Sequence, residues 1–239
     1  MADSFPLTTP DLAALVFFLA VWVLYAQSIE GRLFSRESLT SVMNRQREAW
    51  MHTMAQRELR MIDTSIMIGL QQGTAFFAST SLIALGGCLA LLQQADKVLV
   101  VLADLPLLDS PARGLFEFKV LGLTVLLAYS FFKFAWSYRL FNYCSILVGA
   151  VPLLRQEHDQ GEQIELAVRR AARMNILAGK HFNTGLRGIF FAIGYLGWLI
   201  GPLVFAIATL LVLGVLVRRQ YFSAARQAVL EPQAGPGKS

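Results

Sequence analysis

Four long apolar stretches constrain this chain more than any other feature of its sequence. A helix needs about 20 mostly apolar residues to cross a bilayer, because lipid offers no hydrogen-bond partner to an exposed backbone. Such stretches lie at about 11–29, 74–92, 119–138 and 189–217. The sequence therefore predicts an all-α membrane protein, with four transmembrane helices and long helices that extend into the cytoplasm.

The composition agrees with this class and excludes several others. Only 15% of the residues are charged, whereas soluble domains have about 25%. The net charge is +5, but the basic residues lie in short groups beside apolar runs, so we expect no nucleic acid partner. Cys88 and Cys144 both lie in apolar stretches, so no disulfide framework is predicted. Residues 1–230 are expected to form one membrane domain, followed by a flexible tail at 231–239.

The lysines and arginines between the spans predict the orientation. Apart from Arg139 at the inner end of the third span, the connections after the first and third spans contain six each, the connection after the second span contains two, and the N-terminal tail contains none. Because basic loops stay in the cytoplasm, both termini are expected outside. Arg218, Arg219 and Arg226 conflict with this topology. A reversal at Gly201-Pro202 would remove the conflict, but the stretch 189–217 looks too short to cross twice.

Both basic connections have helical periodicity, at about 37–63 and 160–180. Leu39, Met43, Trp50 and Met54 recur at helical spacing and form an apolar stripe. These helices could extend the transmembrane bundle or lie on the anionic inner leaflet. We favour extension, because the first continues into the second span without a helix-breaking residue.

Polar residues at membrane depth are the best pointers to function, because burying them in lipid is costly. Lys133 lies well beyond Lys119, inside the third span, and Arg139 lies near its inner end. One interpretation is structural: Lys133 reaches the headgroups, and Asp63 pairs with Arg139 or Arg60. The other is a polar vestibule for anions or small polar solutes. Its candidate residues are Gln71, Gln72, Thr74, Ser130, Lys133, Ser137, Arg139 and Asn142.

Three segments resemble a family of uncharacterised bacterial and plant membrane proteins, known only as a domain of unknown function. They are NRQREAW at 44–50, SYRLFNYCSILVGAVP at 137–152 and FNTGLRGIFFAIGYLGWLIGP at 182–202. The resemblance implies four spans and no established activity. Besides Arg139 and Asn142, the motif positions, whose role is unknown, are Asn44, Arg45, Trp50, Asn183, Gly185, Arg187, Trp198, Gly201 and Pro202.

Enzyme motifs are not recognisable in the sequence. His52, His158 and His181 lie apart and lack the spacing of metal ligands. No glycine-rich phosphate loop and no nucleophile elbow is present. We therefore expect no catalytic activity, no bound metal and no cofactor.

These observations favour a channel-like or transport protein for anions or small polar solutes in the bacterial inner membrane. Four spans leave little room for a conduit within one chain, so a homo-oligomer is expected. The alternative is a non-transporting scaffold or an accessory subunit of a larger membrane complex. The expected partners are the lipid bilayer, further copies of the chain and another membrane protein.

Overall fold

The structure is a computed structural model that describes residues 7–29, 37–103, 112–153 and 161–230. The predicted tail at 231–239 and His158 lie outside these residues. The described chain is helical and contains no strand. Its helices are α1 Thr9–Ile29, α2 Leu39–Ala55, α3 Met61–Gln93, α4 Ala95–Ala103, α5 Arg113–Ala150, α6 Gly161–Tyr195, α7 Gly197–Ile200, α8 Pro202–Tyr221 and α9 Ala224–Leu230.

Four helical stretches among the described residues are long and apolar enough to cross a membrane. Three of them are α1, α3 and α5, close to the first three predicted spans. The fourth is Pro202–Leu230, which combines α8 and α9. The predicted fold class, an all-α membrane protein with four transmembrane helices, is therefore confirmed. The fourth stretch begins at Pro202 and not at the predicted position 189.

The long helices α5 and α6 lie antiparallel and form the centre of the bundle. Ser137 of α5 donates a hydrogen bond to the Ala178 carbonyl of α6 at 2.7 Å. Nearer the other end, Gly122 lies under the Tyr195 side chain, where a Cβ atom would overlap the hydroxyl. With 35 residues, α6 is roughly 52 Å long at about 1.5 Å per residue. Its second half therefore lies beside the apolar part of α5.

The outer helices α1, α3 and α8 pack around this pair. α3 runs antiparallel to α5, because Gln71 donates to Asn142 at 2.9 Å while the Phe77 and Phe134 rings stack at 5.5 Å. α1 runs parallel to α8: the Tyr25 hydroxyl donates to the Leu216 carbonyl at 3.4 Å near the end of both helices. We call the end of the bundle at which α2 lies the α2 end, and the opposite end, at which α1 begins, the Asp11 end.

The chain reverses at Gly201-Pro202, so α6 and α8 form a helical hairpin. A Cβ atom on Gly197 would lie 3.0 Å from the Val204 carbonyl oxygen, and one on Gly194 would lie 3.2 Å from Val212. Residues 189–217 therefore belong to two antiparallel helices and not to one kinked span. The predicted start at 189 was wrong, and the length argument against a reversal fails with it, because α6 begins at Gly161 and forms the first arm of the hairpin.

This reversal corrects the predicted positions of the termini. α1 begins at the Asp11 end, whereas α8 returns to the α2 end, where Gln220 donates to Thr40 at 2.6 Å. The first and last described residues therefore lie at opposite ends of the bundle. Arg218 and Arg219 lie at the same end as the arginines of α2, so their conflict with the charge rule disappears.

α2 is a separate helix and does not continue α3. It begins after Ser38, whose hydroxyl accepts a bond from the Ser41 amide at 3.2 Å, as expected of an N-cap. It ends at Ala55, before α3 starts at Met61, and packs against α6. The expectation that a helix at 37–63 extends directly into the second span was wrong, because local periodicity does not reveal the change of direction.

Buried apolar residues form two clusters, one at each end. At the α2 end, Met51 and Met54 of α2 pack with Phe141 of α5 and Val168 of α6. At the Asp11 end, aromatic rings fill the space between α1, α6 and α8. They belong to Phe18, Phe191, Tyr195, Trp198 and Phe205.

Candidate cavity at the α2 end

A cavity of about 710 Å³ lies at the α2 end, where α1 and α8 finish. Its walls are the end of α1, the first half of α2, the middle of α6 and the residues from Leu216 to Ala225. The Gln220–Thr40 bond described above and a bond from Arg226 to the Glu37 carbonyl at 2.8 Å hold the C-terminal part against α2. The wall is therefore built from segments near opposite ends of the sequence.

The lining combines basic, neutral polar and apolar side chains, and no carboxylate occurs among its described residues. The basic residues are Arg47, Lys180, Arg187 and Arg219. The amide and hydroxyl residues are Asn44, Asn183, Gln220, Thr40, Ser41 and Ser223. The apolar residues and the tyrosine are Tyr25, Ile29, Leu39, Met43, Ile176, Leu186, Phe190, Leu216 and Ala225. This cavity is suited to an anion.

Arg47 is held in a fixed position on the wall. Its Nη1 atom donates to both the backbone carbonyl and the side-chain oxygen of the buried Asn175. The guanidinium lies over Gly179, where a Cβ atom would come within 2.8 Å of Arg47 Cζ. Burial lowers the pKa of Arg47 from its ordinary value, although an arginine remains protonated in proteins. Asn175 and Gly179 thus place a cationic group of α2 against α6.

The other cationic side chains approach from α6 and α8. Arg187 donates to Thr184 on its own helix at 2.7 Å, and the Arg219 guanidinium lies 5.2 Å from the centre of the Phe190 ring. In the described part of the chain, neither Arg47 nor Arg219 forms an ion pair. Guanidinium groups from three helices therefore line one volume.

Arg45, a motif position two residues before Arg47, lies on the other side of α2. It forms an exposed ion pair with Glu37, one of whose bonds measures 2.9 Å. Hydrogen bonding to Arg45 lowers the pKa of the Glu37 carboxyl. The two neighbouring arginines therefore differ, since only Arg47 faces the cavity.

The residues predicted as a vestibule are not brought together. Lys133 lies 5.1 Å from the Tyr129 ring centre, and Arg139 is exposed and donates to Tyr143 at 2.6 Å. Ser130 and Ser137 are buried where α5 packs on α6.

The remaining vestibule candidates lie on or beside α3. Gln71 bonds Asn142, as described above, Gln72 is exposed, and Thr74 is buried and donates to the Leu70 carbonyl at 2.7 Å. None of the eight candidates lines the cavity at the α2 end.

The predicted ion pair between Asp63 and Arg139 is not formed. Asp63 is buried and accepts bonds from Trp50 at 2.7 Å and Arg57 at 2.6 Å. Asp63 precedes Gln71, the partner of Asn142, by two turns of helix, or roughly 12 Å. Arg139 is therefore too far along the bundle to reach it. The alternative partner, Arg60, donates instead to the Val148 and Val151 carbonyls.

The motif positions divide between the cavity and helix contacts. Asn44, Asn183 and Arg187 line the cavity. Trp50 covers Asp63, Gly185 leaves room for the Phe134 ring, and Gly201 and Pro202 form the reversal. Sequence reasoning did not identify the cavity residues Arg47, Lys180 and Arg219. The misfit of Arg218 and Arg219 with the charge rule was the one available signal.

Trp198, the remaining motif position, belongs to a buried polar cluster at the Asp11 end. The indole donates to Asp11 Oδ1 at 2.7 Å, and the Lys119 ammonium lies 3.6 Å from the same oxygen. The side chains of Lys119 and Asp11 are 7% and 4% exposed. This cluster neutralises its own charge, and Trp198 packs it against the aromatic rings of Tyr195 and Phe205.

No group of three His, Cys, Asp or Glu side chains suited to a metal ion occurs among the described residues. The family model described as "Protein of unknown function, DUF599" matches residues 13–225, so this chain belongs to that family. No curated protein and no solved structure matches the sequence significantly.

Proposed function

We propose that this multi-pass membrane protein binds an anionic solute in the cavity at the α2 end and transports it. The observation that carries the proposal is the lining: four cationic side chains and six neutral hydrogen-bonding side chains, with no carboxylate among the described residues. A fixed set of cationic donors in a partly buried cavity attracts anions more strongly than the same charges on an open surface.

The position of the cavity supports a path that begins at the α2 end and is blocked towards Asp11. The cavity lies where the apolar parts of α1 and α8 finish, and the aromatic cluster fills the bundle towards Asp11. Transport would require the α6–α8 hairpin to move against α1, since Phe18, Phe191 and Phe205 meet between these helices. The solute site then lies within one chain, and a pore between copies is not required.

Assembly of several copies and location in the bacterial inner membrane remain our proposals. Apolar side chains exposed on α3, such as Phe76 at 65% and Ile83 at 76%, can face lipid or another copy. Native mass spectrometry of the protein in lipid would give the number of chains.

Uptake by liposomes that contain the purified protein tests the transport proposal. We expect chloride, sulfate, phosphate or citrate to enter faster than in protein-free liposomes. Arg219→Gln should slow entry, whereas Arg169→Gln should not, because Arg169 is exposed and pairs with Glu165 outside the cavity. Uptake of none of these anions, and of no hexyl phosphate, would refute transport and favour the scaffold alternative.

A second pair of variants separates this cavity from the predicted vestibule. Lys180→Ala removes a cationic side chain from the cavity, whereas Lys133→Ala removes one from the surface of α5 near Tyr129. Our proposal expects a slower uptake only for Lys180→Ala. A loss confined to Lys133→Ala would instead support the vestibule.

A further inference from the structure

We infer that the cavity at the α2 end recognises a phosphate ester carried on an apolar body. Acidic phospholipids and soluble alkyl phosphates share this chemistry. The inference rests on the proposed function, because it names the class of ligand for the same site. Three observations support it: the type of cation, the first turn of α2 and the apolar part of the lining.

Three of the four cations are arginines, and they come from α2, α6 and α8. A guanidinium presents a planar fork of N–H donors that can bind two oxygens of a phosphate at once. Asn175 and Gly179 fix the plane of Arg47, so part of its conformational entropy is already lost before a ligand binds. This arrangement favours an anion with several oxygens over a single-atom anion such as chloride.

The first turn of α2 adds to the same preference. Leu39, Thr40 and Ser41 line the cavity at the beginning of this 17-residue helix. The N-terminal end of a helix carries a partial positive charge and favours phosphate groups. The hydroxyls of Thr40 and Ser41 are additional donors on this wall.

The apolar part of the lining indicates that the ligand is more than an inorganic ion. About 710 Å³ is within the range of cavities that enclose a drug-sized ligand. Tyr25, Phe190 and Leu216 contribute apolar surface from the membrane helices. Because Arg218 and Arg219 directly follow the apolar residues of α8, the cavity lies at the level where lipid phosphates meet the hydrocarbon region.

Binding of hexyl phosphate to the purified full-length chain in detergent tests the inference. We expect hexyl phosphate to bind at least tenfold more tightly than inorganic phosphate and than hexanol. Arg47→Gln and Arg219→Gln should each weaken binding about tenfold. Their controls, Arg45→Gln and Arg169→Gln, should bind normally. Because Arg47 also contacts Asn175, circular dichroism checks its fold, and the more exposed Arg219 gives an independent result.

A second arm distinguishes the source of the phosphate. The protein is placed in nanodiscs of phosphatidylcholine with or without phosphatidic acid, and native mass spectrometry counts retained lipids. Retention of phosphatidic acid that Arg219→Gln abolishes supports a lipid ligand. Hexyl phosphate binding without such retention supports a soluble ligand.

Equal affinities for hexyl phosphate and inorganic phosphate would refute the apolar component of the inference. Failure of hexyl phosphate and phosphatidic acid to bind, while citrate binds and depends on Arg219, would refute the phosphate ester and leave the anion site standing. If none of these anions binds, the inference and the proposed anion site both fail.

Discussion

The two ends of the bundle differ in what surrounds their cationic side chains. At the Asp11 end, the Lys119 ammonium lies 3.6 Å from a carboxylate and close to an indole ring, and aromatic side chains fill the surrounding space. At the α2 end, four cationic side chains line an open volume whose described wall contains no carboxylate. The first arrangement pairs its charge with a carboxylate of the same chain, whereas the second, in our proposal, binds an anionic solute.

The largest expected effect comes from breaking the pair at the Asp11 end. Asp11→Ala leaves the Lys119 ammonium buried without its carboxylate, which costs about 3–5 kcal/mol. We expect a much lower thermal unfolding temperature in detergent. In the double variant with Lys119→Met no buried charge remains, so most of the stability should return. Equal losses in the single and double variants would contradict a charge effect.

The contact of α5 with α6, which joins the two ends, gives the next largest effect. A Cβ atom on Gly185 would lie 2.7 Å from the Phe134 ring, so Gly185→Ala should destabilise the fold by about 1–3 kcal/mol. Gly69 of α3 has no heavy atom within 4 Å of that position, so Gly69→Ala should stabilise the helix by up to about 1 kcal/mol. Thermal unfolding of both variants tests whether the unfolding temperature falls for Gly185→Ala and rises for Gly69→Ala. Equal shifts would refute close packing at Gly185.

The same substitution at the cavity should affect binding more than stability. A Cβ atom on Gly179 meets the end of the Arg47 side chain at 2.8 Å, so the guanidinium must shift from its position against Asn175 while the helix backbone stays in place. We expect Gly179→Ala to unfold within a few degrees of the native chain. It should bind hexyl phosphate roughly tenfold more weakly, or about 1.4 kcal/mol. An unchanged affinity would show that the fixed position of Arg47 is not required.

The smallest effect is expected at the exposed pair of Glu37 and Arg45. Arg45 lowers the pKa of Glu37 in the folded chain, so the pair contributes stability above the pKa of the unfolded chain. This contribution is lost as the pH falls through the lowered pKa. Glu37→Gln should therefore reduce the unfolding temperature slightly at pH 7, and this reduction should shrink as the pH is lowered. A difference that grows towards acidic pH would contradict this sign.

The fold class could be predicted because an apolar stretch long enough to cross a bilayer is a local property of the sequence. The part of α6 before position 189 was not predicted to lie in the transmembrane bundle, because Lys180 and Arg187 lower its hydropathy. Both side chains face the cavity and not the lipid. This polar environment is created by the packing of α6 against α1, α2 and α8, which the local sequence of α6 does not show. The length of 189–217 argued against a reversal at Gly201-Pro202, because this stretch omits the part of α6 that precedes position 189.

The cavity was less predictable than the spans. The family resemblance singled out Asn44, Asn183 and Arg187 without indicating that they meet. Depth along a single helix favoured Lys133 and Arg139, but depth does not tell which side of the helix faces the interior. Arg47 and Arg219 lie far apart in the sequence, and their convergence depends on the return of α8 beside α1.

That return also determines when the cavity can exist during synthesis. Its wall includes residues of α1 and α2, which leave the ribosome well before the lining residues from Leu216 to Ala225. A nascent chain that stops at Gly201 would contain Arg47, Lys180 and Arg187 but neither Arg219 nor the wall that α8 provides. The cavity is therefore completed only after α8 has inserted, so chains made only as far as Gly201 would carry no assembled cavity into the membrane.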